Sequence, residues 1–296
     1  MTIYRNTIGA VKYGSTVFHV TNLDMNPSQE VTPINVDGVF APVGYALLQA
    51  KPMATFTVVD LATTLSTLSL EINSITSDNM TLYCQNLLNE GIRSAGSTHT
   101  SYGITAGALV INTISATQGG IASAHCSLYA SSSDGITSPW TVTENGVALP
   151  AETNLASIYS LGTTSLNGTS LEGITSWTIN LNNQVQQQLT DGNLYPQWSA
   201  LMSHAPTITV NSADPGSVRT LIGNSGLNLA SGGLVLTLYE TTNGVITTSV
   251  GNTLTAALGM ATCNTRSNSQ GQLSTSGFTV ATAYNLTGPV NPIVIS

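Results

Sequence analysis

Charged side chains are scarce in this sequence. Asp, Glu, Lys and Arg make up 7% of its 296 residues, whereas soluble proteins average about 25%. Interspersed charge helps to keep monomers apart in solution. Because Ser, Thr, Asn and Gly fill the deficit, the composition predicts a polar, weakly ionised surface that other protein copies cover.

Basic residues are the scarcest charged class. The chain has six Lys and Arg residues and a formal net charge of −8. Affinity for nucleic acid and for anionic membranes comes mainly from clustered Lys and Arg, and the sequence has no run of about 18 apolar residues that would span a bilayer. We therefore expect no nucleic-acid-binding patch and no membrane partner.

Residues that carry chemistry are few and scattered. The three cysteines fit no disulfide framework and no paired metal-ligand spacing. The four histidines lie in no HxxxH spacing and beside no carboxylate pair. A GxSxG elbow, a Walker loop and a GxGxxG motif are also absent. The sequence predicts no catalytic, cofactor or metal site and no enzyme. The residues concerned are Cys84, Cys126, Cys263, His19, His99, His125 and His204.

The N-terminal sequence MTIYRNTIGAVKYGSTVF does not resemble a secretory signal. Such signals place a positively charged region before an apolar stretch. We expect the protein to be made in a cytoplasm and to stay there until another process releases it.

An internal repeat dominates the organisation of the chain. Residues 37–52, DGVFAPVGYALLQAKP, align without a gap on residues 191–206, DGNLYPQWSALMSHAP. Six of the sixteen positions are identical, where about one match is expected by chance. The matches are not mainly the abundant Ser and Thr, which argues against chance alignment of low-complexity sequence. They are Asp37 with Asp191, Gly38 with Gly192, Pro42 with Pro196, Ala46 with Ala200, Leu47 with Leu201, and Pro52 with Pro206.

The repeat sets the expected domain boundaries. Further matches follow in the same order, including TLY from Thr81 with TLY from Thr237 and INTIS from Ile111 with CNTRS from Cys263. The length is about twice a common domain size. We expect a first domain at residues 1–150, a Ser/Thr/Gly-rich linker at 151–170 and a second domain at 171–296.

Short runs with a period of two residues indicate strands in both repeats, for example TFTVV and TITV. Asp60 and Asp214 each precede an apolar-spaced segment and are expected to cap a short helix, with Pro215 in the first helical position. The sequence predicts a mainly β fold. It consists of two tandem β-sandwich or partial-barrel domains, each with one short flanking helix.

Two Asp-Gly pairs are expected to form tight turns. Asp37-Gly38 and Asp191-Gly192 lie in equivalent positions of the repeats. Asp can bond to its own backbone in a turn, and Gly accepts a positive φ at no steric cost. We predict positive φ at Gly38 and Gly192.

The order of these features resembles one known family. The segment SWTINLNNQVQQQLTDGNLYPQWSALMSHAPTITV is followed by Asp-Pro and a short helix, and FHVTNLDMNPSQEVTPINVDGVFAPVGYALLQAKPMATFTV repeats the frame. Both look like the tail tube protein, or major tail protein, of long non-contractile bacteriophage tails. About 70 residues of each repeat carry the resemblance. Many members of that family have one such domain, whereas this chain has two.

The resemblance implies an assembly with defined partners. In the family, six domains close their sheets into a β-barrel ring, and rings stack into the hollow tail tube of the virion through which DNA passes. With two domains per chain, it implies a homotrimeric ring with approximate sixfold symmetry, with tape measure and terminator proteins as further partners. An acidic wall suits DNA that slides through without specific binding.

Other functions share parts of this pattern. A β-sandwich capsid or baseplate protein would have the same composition and the same need to assemble. A secreted adhesin or carbohydrate-binding module would have the polar β pattern, but the missing signal sequence and the odd number of cysteines disfavour it. All of these alternatives are binding or structural proteins rather than enzymes.

The polar stretch that precedes each Asp-Gly pair differs between the repeats. Residues 25–36 look longer and richer in Pro than residues 184–190. Divergence is expected where two similar domains meet different neighbours. We therefore expect this hairpin to reach an adjacent ring.

Overall fold

A computed structural model describes residues 5–87, 96, 99–151, 158–190, 192–242, 245–264, 276–284 and 291–296. In these residues the protein is mainly β, with several sheets, two short helices and no closed barrel. This confirms the predicted fold class.

The described part of the first repeat has ten strands and one helix. In chain order they are β1 (Arg5–Tyr13), β2 (Thr16–Phe18), β3 (Val20–Asn26), β4 (Gln29–Ile34), β5 (Gly44–Ala50), β6 (Met53–Val58), α1 (Leu61–Thr67), β7 (Asn73–Leu87), β8 (His99–Thr117), β9 (Ser123–Ser131) and β10 (Trp140–Val147).

The second repeat follows the same order of elements. They are β11 (Ile158–Leu166), β12 (Thr169–Leu171), β13 (Ile174–Asn180), β14 (Gln184–Gln188), β15 (Trp198–Ser203), β16 (Thr207–Ser212), α2 (Pro215–Ile222), β17 (Leu227–Asn228), β18 (Leu234–Thr242), β19 (Val245–Ala256), β20 (Gly259–Cys263), β21 (Ser276–Thr282) and β22 (Ile293–Ile295).

Strand pairing is the same in both repeats. In the first repeat, one sheet runs β2-β1-β7-β8-β10 and a second runs β3-β6-β9-β8. In the second repeat, the corresponding sheets run β12-β11-β18-β19-β22 and β13-β16-β21-β20-β17. The long strand β8 takes part in both sheets, and β19 and β20 divide its role in the second repeat. Each repeat also has a separate hairpin, β4-β5 or β14-β15.

In the segments that carry the sequence similarity, the strands of the two repeats pair in the same register, residue for residue. Asn26 pairs with Met53, and Asn180 pairs with Thr207, so both members of the pair are shifted by 154 positions. The hairpins share a register irregularity at the same place, between Glu30 and Val31 and 154 positions later.

The two helices begin as the sequence predicts. The carboxylate of Asp60 accepts hydrogen bonds from the backbone N–H of Thr63 at 3.2 Å and from its hydroxyl at 2.7 Å. Asp214 accepts from the backbone N–H of Gly216 at 3.0 Å, and Pro215 opens α2. Both helices therefore start at an Asp cap that satisfies a free N–H group of the first turn.

Alternating burial along the strands builds the core. In β6, Ala54, Phe56 and Val58 are buried and the residues between them are half-buried. In the second repeat, Trp177 and Phe278 are fully buried in the same cluster. Burying one such large apolar side chain contributes about 1.5–3 kcal/mol to folding. The period of two in the sequence thus marks the side chains that hold the sheets together.

The expected linker at residues 151–170 is wrong for its described part. Residues 158–166 form β11, a central strand that pairs with β12 and β18, and Tyr159 and Leu166 are buried. Thr and Ser suit a half-buried strand as well as a linker, because their small side chains fit a pleated surface. The second repeat therefore begins by Ile158, within the segment that we expected to connect the domains.

Two expectations about the hairpins have different outcomes. Gly38 and Gly192 have φ of 87° and 75°, which confirms the predicted positive φ, while Asp191 lies outside the described residues. The expected difference in hairpin length is wrong, because β4-β5 and β14-β15 pair in the same register with the same spacing. The counterpart of residues 25–36 is residues 179–190.

Candidate assembly interface

The two hairpins lie in very different surroundings. We call residues 29–50 hairpin 1 and residues 183–204 hairpin 2. Hairpin 2 packs against the first repeat of its own chain, whereas hairpin 1 is mostly exposed. The contacts of hairpin 2 therefore describe how one repeat receives the hairpin of another.

A continuous sheet joins the two repeats. Strand β13 of the second repeat pairs antiparallel with the end of β8, from Ser176 opposite Thr117 to Asn180 opposite Thr113. Beyond the strand, the N–H of Leu181 donates to the carbonyl of Asn112 at 2.8 Å. This pairing covers a strand edge of each repeat, which removes two templates for unspecific aggregation.

Hairpin 2 continues from that strand onto β9. The side-chain amide of Gln187 donates to the backbone carbonyl of Ala130 at 2.9 Å. The hydroxyl oxygens of Ser131 and Ser199 lie 2.8 Å apart. Ala130 and Ser131 are buried, so these hydrogen bonds satisfy groups that hairpin 2 removes from water.

The tip of hairpin 2 is held by backbone hydrogen bonds. The N–H of Ser132 donates to the carbonyl of Pro196 at 2.7 Å, and the N–H of Tyr195 donates to the carbonyl of Gly135 at 2.9 Å. Backbone contacts of this kind fix the position of the tip independently of its side chains.

An Asp-centred turn shapes the surface that receives the tip. The carboxylate of Asp134 accepts from the hydroxyls of Ser132 and Thr137 and from the N–H groups of Ile136 and Thr137, at 2.6–2.9 Å. The hydroxyl of Thr137, then that of Ser132 and the two backbone groups, hold the pKa of Asp134 well below its usual range. The ionised carboxylate thus organises the loop that carries Gly135.

At the base of hairpin 2, one amide joins the repeats. The Asn183 Nδ2 group donates to three backbone carbonyls of the first repeat, those of Leu70 at 3.0 Å, Glu71 at 3.1 Å and Ile111 at 2.9 Å. The other end of the amide, Oδ1, lies 2.6 Å from Nδ1 of His204. Three acceptors around Nδ2 fix the orientation of the amide, because an oxygen there would face three oxygens.

The protonation state of His204 supports this arrangement. Burial lowers the pKa of the imidazole, and this effect outweighs the opposing influence of Glu71, which raises it. The lowered pKa favours a neutral ring near pH 7. In the tautomer with a proton on Nδ1, that ring donates to the Oδ1 of Asn183.

Hairpin 1 has the same fold as hairpin 2 but carries a large exposed apolar surface. All six residues of β4 are exposed, and Phe40 at the tip has no shielding at all. So many exposed apolar side chains on one hairpin of a polar protein indicate an interaction surface. The exposed large apolar residues of hairpin 1 are Val31, Ile34, Val36, Val39, Phe40, Val43, Tyr45, Leu47 and Leu48.

A cavity of about 410 Å³ lies in the second repeat beside the end of α2. Asn224 and Ser225, which follow the helix, form one wall, and Cys263 and Asn264 at the end of β20 form another. Val218 and Arg219 of α2 also line the cavity, so its wall is mixed polar and apolar. Such a wall can accept the hydrogen bonds of a polar side chain while covering its apolar stem.

The cysteines and the remaining histidines that the sequence singled out lie in several parts of the first and second repeats. Cys84 and Cys126 are buried free thiols whose pKa values are raised by burial, and Cys263 is an exposed free thiol. His125 lies 3.5 Å from the hydroxyl of Thr57. In the described part of the chain, no group of three or more His, Cys, Asp or Glu residues is placed to hold a metal ion.

Sequence reasoning missed Asn183 and the docking of hairpin 2. The gapless alignment of residues 37–52 with 191–206 held a signal for the docking alone, because matching segments of unequal apolar content mark hairpins in different surroundings. No helix among the described residues is long and apolar enough to cross a membrane. The chain matches no protein-family model and none of the curated proteins.

Proposed function

We propose that this protein is a structural virion protein that assembles head to tail into rings, which stack into the hollow tail tube of a bacteriophage. It acts by self-association and not by catalysis. Its partners are other copies of the chain, together with tail proteins such as the tape measure and terminator.

One observation carries the proposal. Hairpin 2 is seated on the first repeat, while the equivalent hairpin 1 exposes nine large apolar side chains. A contact between unlike surfaces is heterologous, and its repetition produces a closed ring or an open filament. The contact between the repeats thus supplies a pattern for the contact between chains.

Ring closure also accounts for strand β3. Within the described residues, β3 pairs with β6 alone, whereas its counterpart β13 pairs with both β16 and β8. An unpaired edge beside an apolar hairpin is a liability for a monomer, and closing sheets around an axis removes it. Three chains with two repeats each would complete a ring of six domains.

The acidic balance of the chain fits a conduit for DNA. A net charge of −8 with six basic residues offers little attraction to phosphate, so DNA can slide without being held. The proposed location is the virion tail, after synthesis in the host cytoplasm.

Electron microscopy of the purified full-length protein tests the proposal. We expect hollow tubes or short stacks of rings with a central channel. Closed shells would instead favour the capsid alternative, and dispersed monomers at high concentration would contradict the proposal and favour an adhesin or binding module.

A further inference from the structure

We propose that hairpin 1 of one chain docks onto the second repeat of a neighbouring chain, with the side chain of Gln29 in the cavity beside α2. This contact between chains would have the same arrangement as the contact between hairpin 2 and the first repeat within one chain. The inference rests on the proposed head-to-tail assembly and names the surfaces that form it.

Gln29 is the counterpart of Asn183. Both residues lie one position after a residue with positive φ, Ser28 at 42° and Asn182 at 50°, so the chain turns in the same way before each amide. Both residues carry a side-chain amide, and Gln29 is exposed. The monomer therefore presents a second hydrogen-bond donor of the kind that Asn183 uses to join the repeats.

The cavity is the counterpart of the site that holds Asn183. The helix caps Asp60 and Asp214 are 154 positions apart, and the same shift carries Leu70 and Glu71 onto Asn224 and Ser225. In the first repeat, the carbonyls of this segment accept from Asn183.

The opposite wall also has a counterpart in the first repeat, at a shift of 152 positions in this later part of the alignment. Ile111, whose carbonyl also accepts from Asn183, corresponds to Cys263 in the aligned segments INTIS and CNTRS. The next residue is Asn in both repeats, and its side chain bonds to β9 or β21 in equivalent positions. The cavity thus offers Gln29 the backbone positions that Asn183 finds in the first repeat.

The surface under hairpin 2 in the first repeat and its counterpart in the second repeat differ in solvent exposure. Ser131 and Ser132, which lie under hairpin 2, are 1% and 2% exposed. Their counterparts, 152 positions later in the chain, are Ala283 and Tyr284. Both are exposed, Tyr284 by 43%. Tyr284 contacts its own chain on one side, where its hydroxyl donates to the Glu71 carboxylate at 3.4 Å and its ring lies 6.2 Å from that of His204. The surface that would receive a hairpin is thus buried in the repeat that has one and partly open in the repeat that lacks one.

The composition of the two hairpins fits their different partners. Tyr45 stands where Ser199 contacts Ser131, and it would meet the small side chain Ala283. One backbone contact has no counterpart, because Pro27 replaces Leu181 and has no N–H to donate. Apolar contacts therefore contribute more to this interface than to the contact within the chain.

Disulfide trapping between two different variants tests the inference. One variant carries Tyr45→Cys and the other Ala283→Cys. Both also carry Cys263→Ala, so that the introduced cysteine is the only exposed one in each variant. Because the Ser199 and Ser131 hydroxyl oxygens are 2.8 Å apart, Cys at the equivalent positions would meet within disulfide geometry. We expect a two-chain species on a non-reducing gel only when the variants are mixed.

Two controls define the result. Ser131→Cys with Ser199→Cys in one chain should form an internal disulfide, which checks the geometry of the template. Val245→Cys, exposed to nearly the same degree as Tyr45 at 66% against 69%, should give no link with Ala283→Cys. Absence of the Tyr45 to Ala283 link would overturn the inference, whether or not the protein forms tubes.

The double variant, Tyr45→Cys with Ala283→Cys in one chain, separates the inference from the proposed function. Linked products that end at three chains support both, because a ring of three closes on itself. A ladder that extends well beyond three supports the docking contact but contradicts the trimeric ring. Tubes without any link support the tail function and overturn the docking contact.

A charge substitution tests the role of Gln29. Gln29→Glu would point an anion at backbone carbonyls, and we expect it to weaken assembly by at least about tenfold without changing the melting of the monomer. Gln186→Glu, on an exposed position of hairpin 2, makes the same charge change and should assemble normally. Equal assembly of both variants would remove Gln29 from the interface.

Discussion

Gly107 and Gly259 have the same unusual backbone conformation, with φ of 150° and 152°, in equivalent positions of the two repeats. Each faces a neighbouring strand so closely that a Cβ atom would overlap a backbone carbonyl oxygen, that of Tyr129 or that of Ala281. The same exception to ordinary strand geometry in both halves supports their common origin. It also marks the point where the two sheets of each repeat meet.

Replacing either glycine should therefore destabilise the fold strongly. We expect Gly107→Ala to lower the free energy of unfolding by about 2–4 kcal/mol, from backbone strain and steric overlap together. Gly103 lies in the same strand with 3.8 Å of clearance and no positive φ, so Gly103→Ala should cost less than about 1 kcal/mol. Urea unfolding of the three proteins measures the difference. Similar midpoints for both variants would contradict this account.

The sequence predicted local structure well where single residues determine it. Gly38 and Gly192 have positive φ, and Asp60 and Asp214 cap helices, because these features depend on the chemistry of one or two side chains. Strand β11 was missed because its Ser, Thr and Gly residues are equally typical of linkers. Its burial comes from β18, which is about 70 residues away in the chain.

The bridging role of Asn183 could not be predicted from the sequence pattern. Asn183 is one of many Asn residues in a polar sequence, and nothing near it in the chain reveals that three carbonyls from two distant segments surround its amide. Only the folded register brings Leu70 and Ile111 together at that point. The exposed apolar hairpin 1 likewise gains meaning only beside its covered counterpart.

Asn183→Asp should uncouple the repeats within one chain. The substitution replaces a donor with an anion facing three carbonyls, and we expect a loss of at least about 2 kcal/mol in the free energy of unfolding. Calorimetry should show one cooperative transition in the native protein and a broader or split transition in the variant. Gln186→Glu makes the same charge change on the exposed side of hairpin 2 and should melt like the native protein. An unchanged transition for Asn183→Asp would refute the bridging role.

The turn around Asp134 should make stability depend on pH. Hydrogen bonds from Thr137 and Ser132 and from two backbone N–H groups lower the pKa of Asp134 in the folded protein. Because the folded value lies below the unfolded one, ionised Asp134 stabilises the fold above the unfolded pKa of about 3.9. That stabilisation is lost as the pH falls through the folded pKa.

Asp134→Asn provides the measurement for this pH effect. The variant should lose stability near neutral pH and show a smaller decline in melting temperature between about pH 5 and pH 2 than the native protein. Glu144 lies on an exposed part of β10, and Glu144→Gln serves as the control for removing one carboxylate. If Asp134→Asn and the native protein decline in parallel, Asp134 is not the source of the dependence.

The final prediction concerns the number of chains in a ring. In this chain, the step from the first repeat to the second is made by β13 on β8 and by hairpin 2 on β9. If the same step is repeated between chains, each chain supplies two steps, and a ring of six domains closes after three chains. Native mass spectrometry of single rings, released from tubes by mild denaturant, should find three chains of 30.6 kDa. Image averaging should show exact threefold and approximate sixfold symmetry, with hairpins 1 and 2 alternating around the axis. Six chains per ring would contradict this stoichiometry. In such a ring, the contacts between repeats could not all copy the contact between the two repeats of one chain.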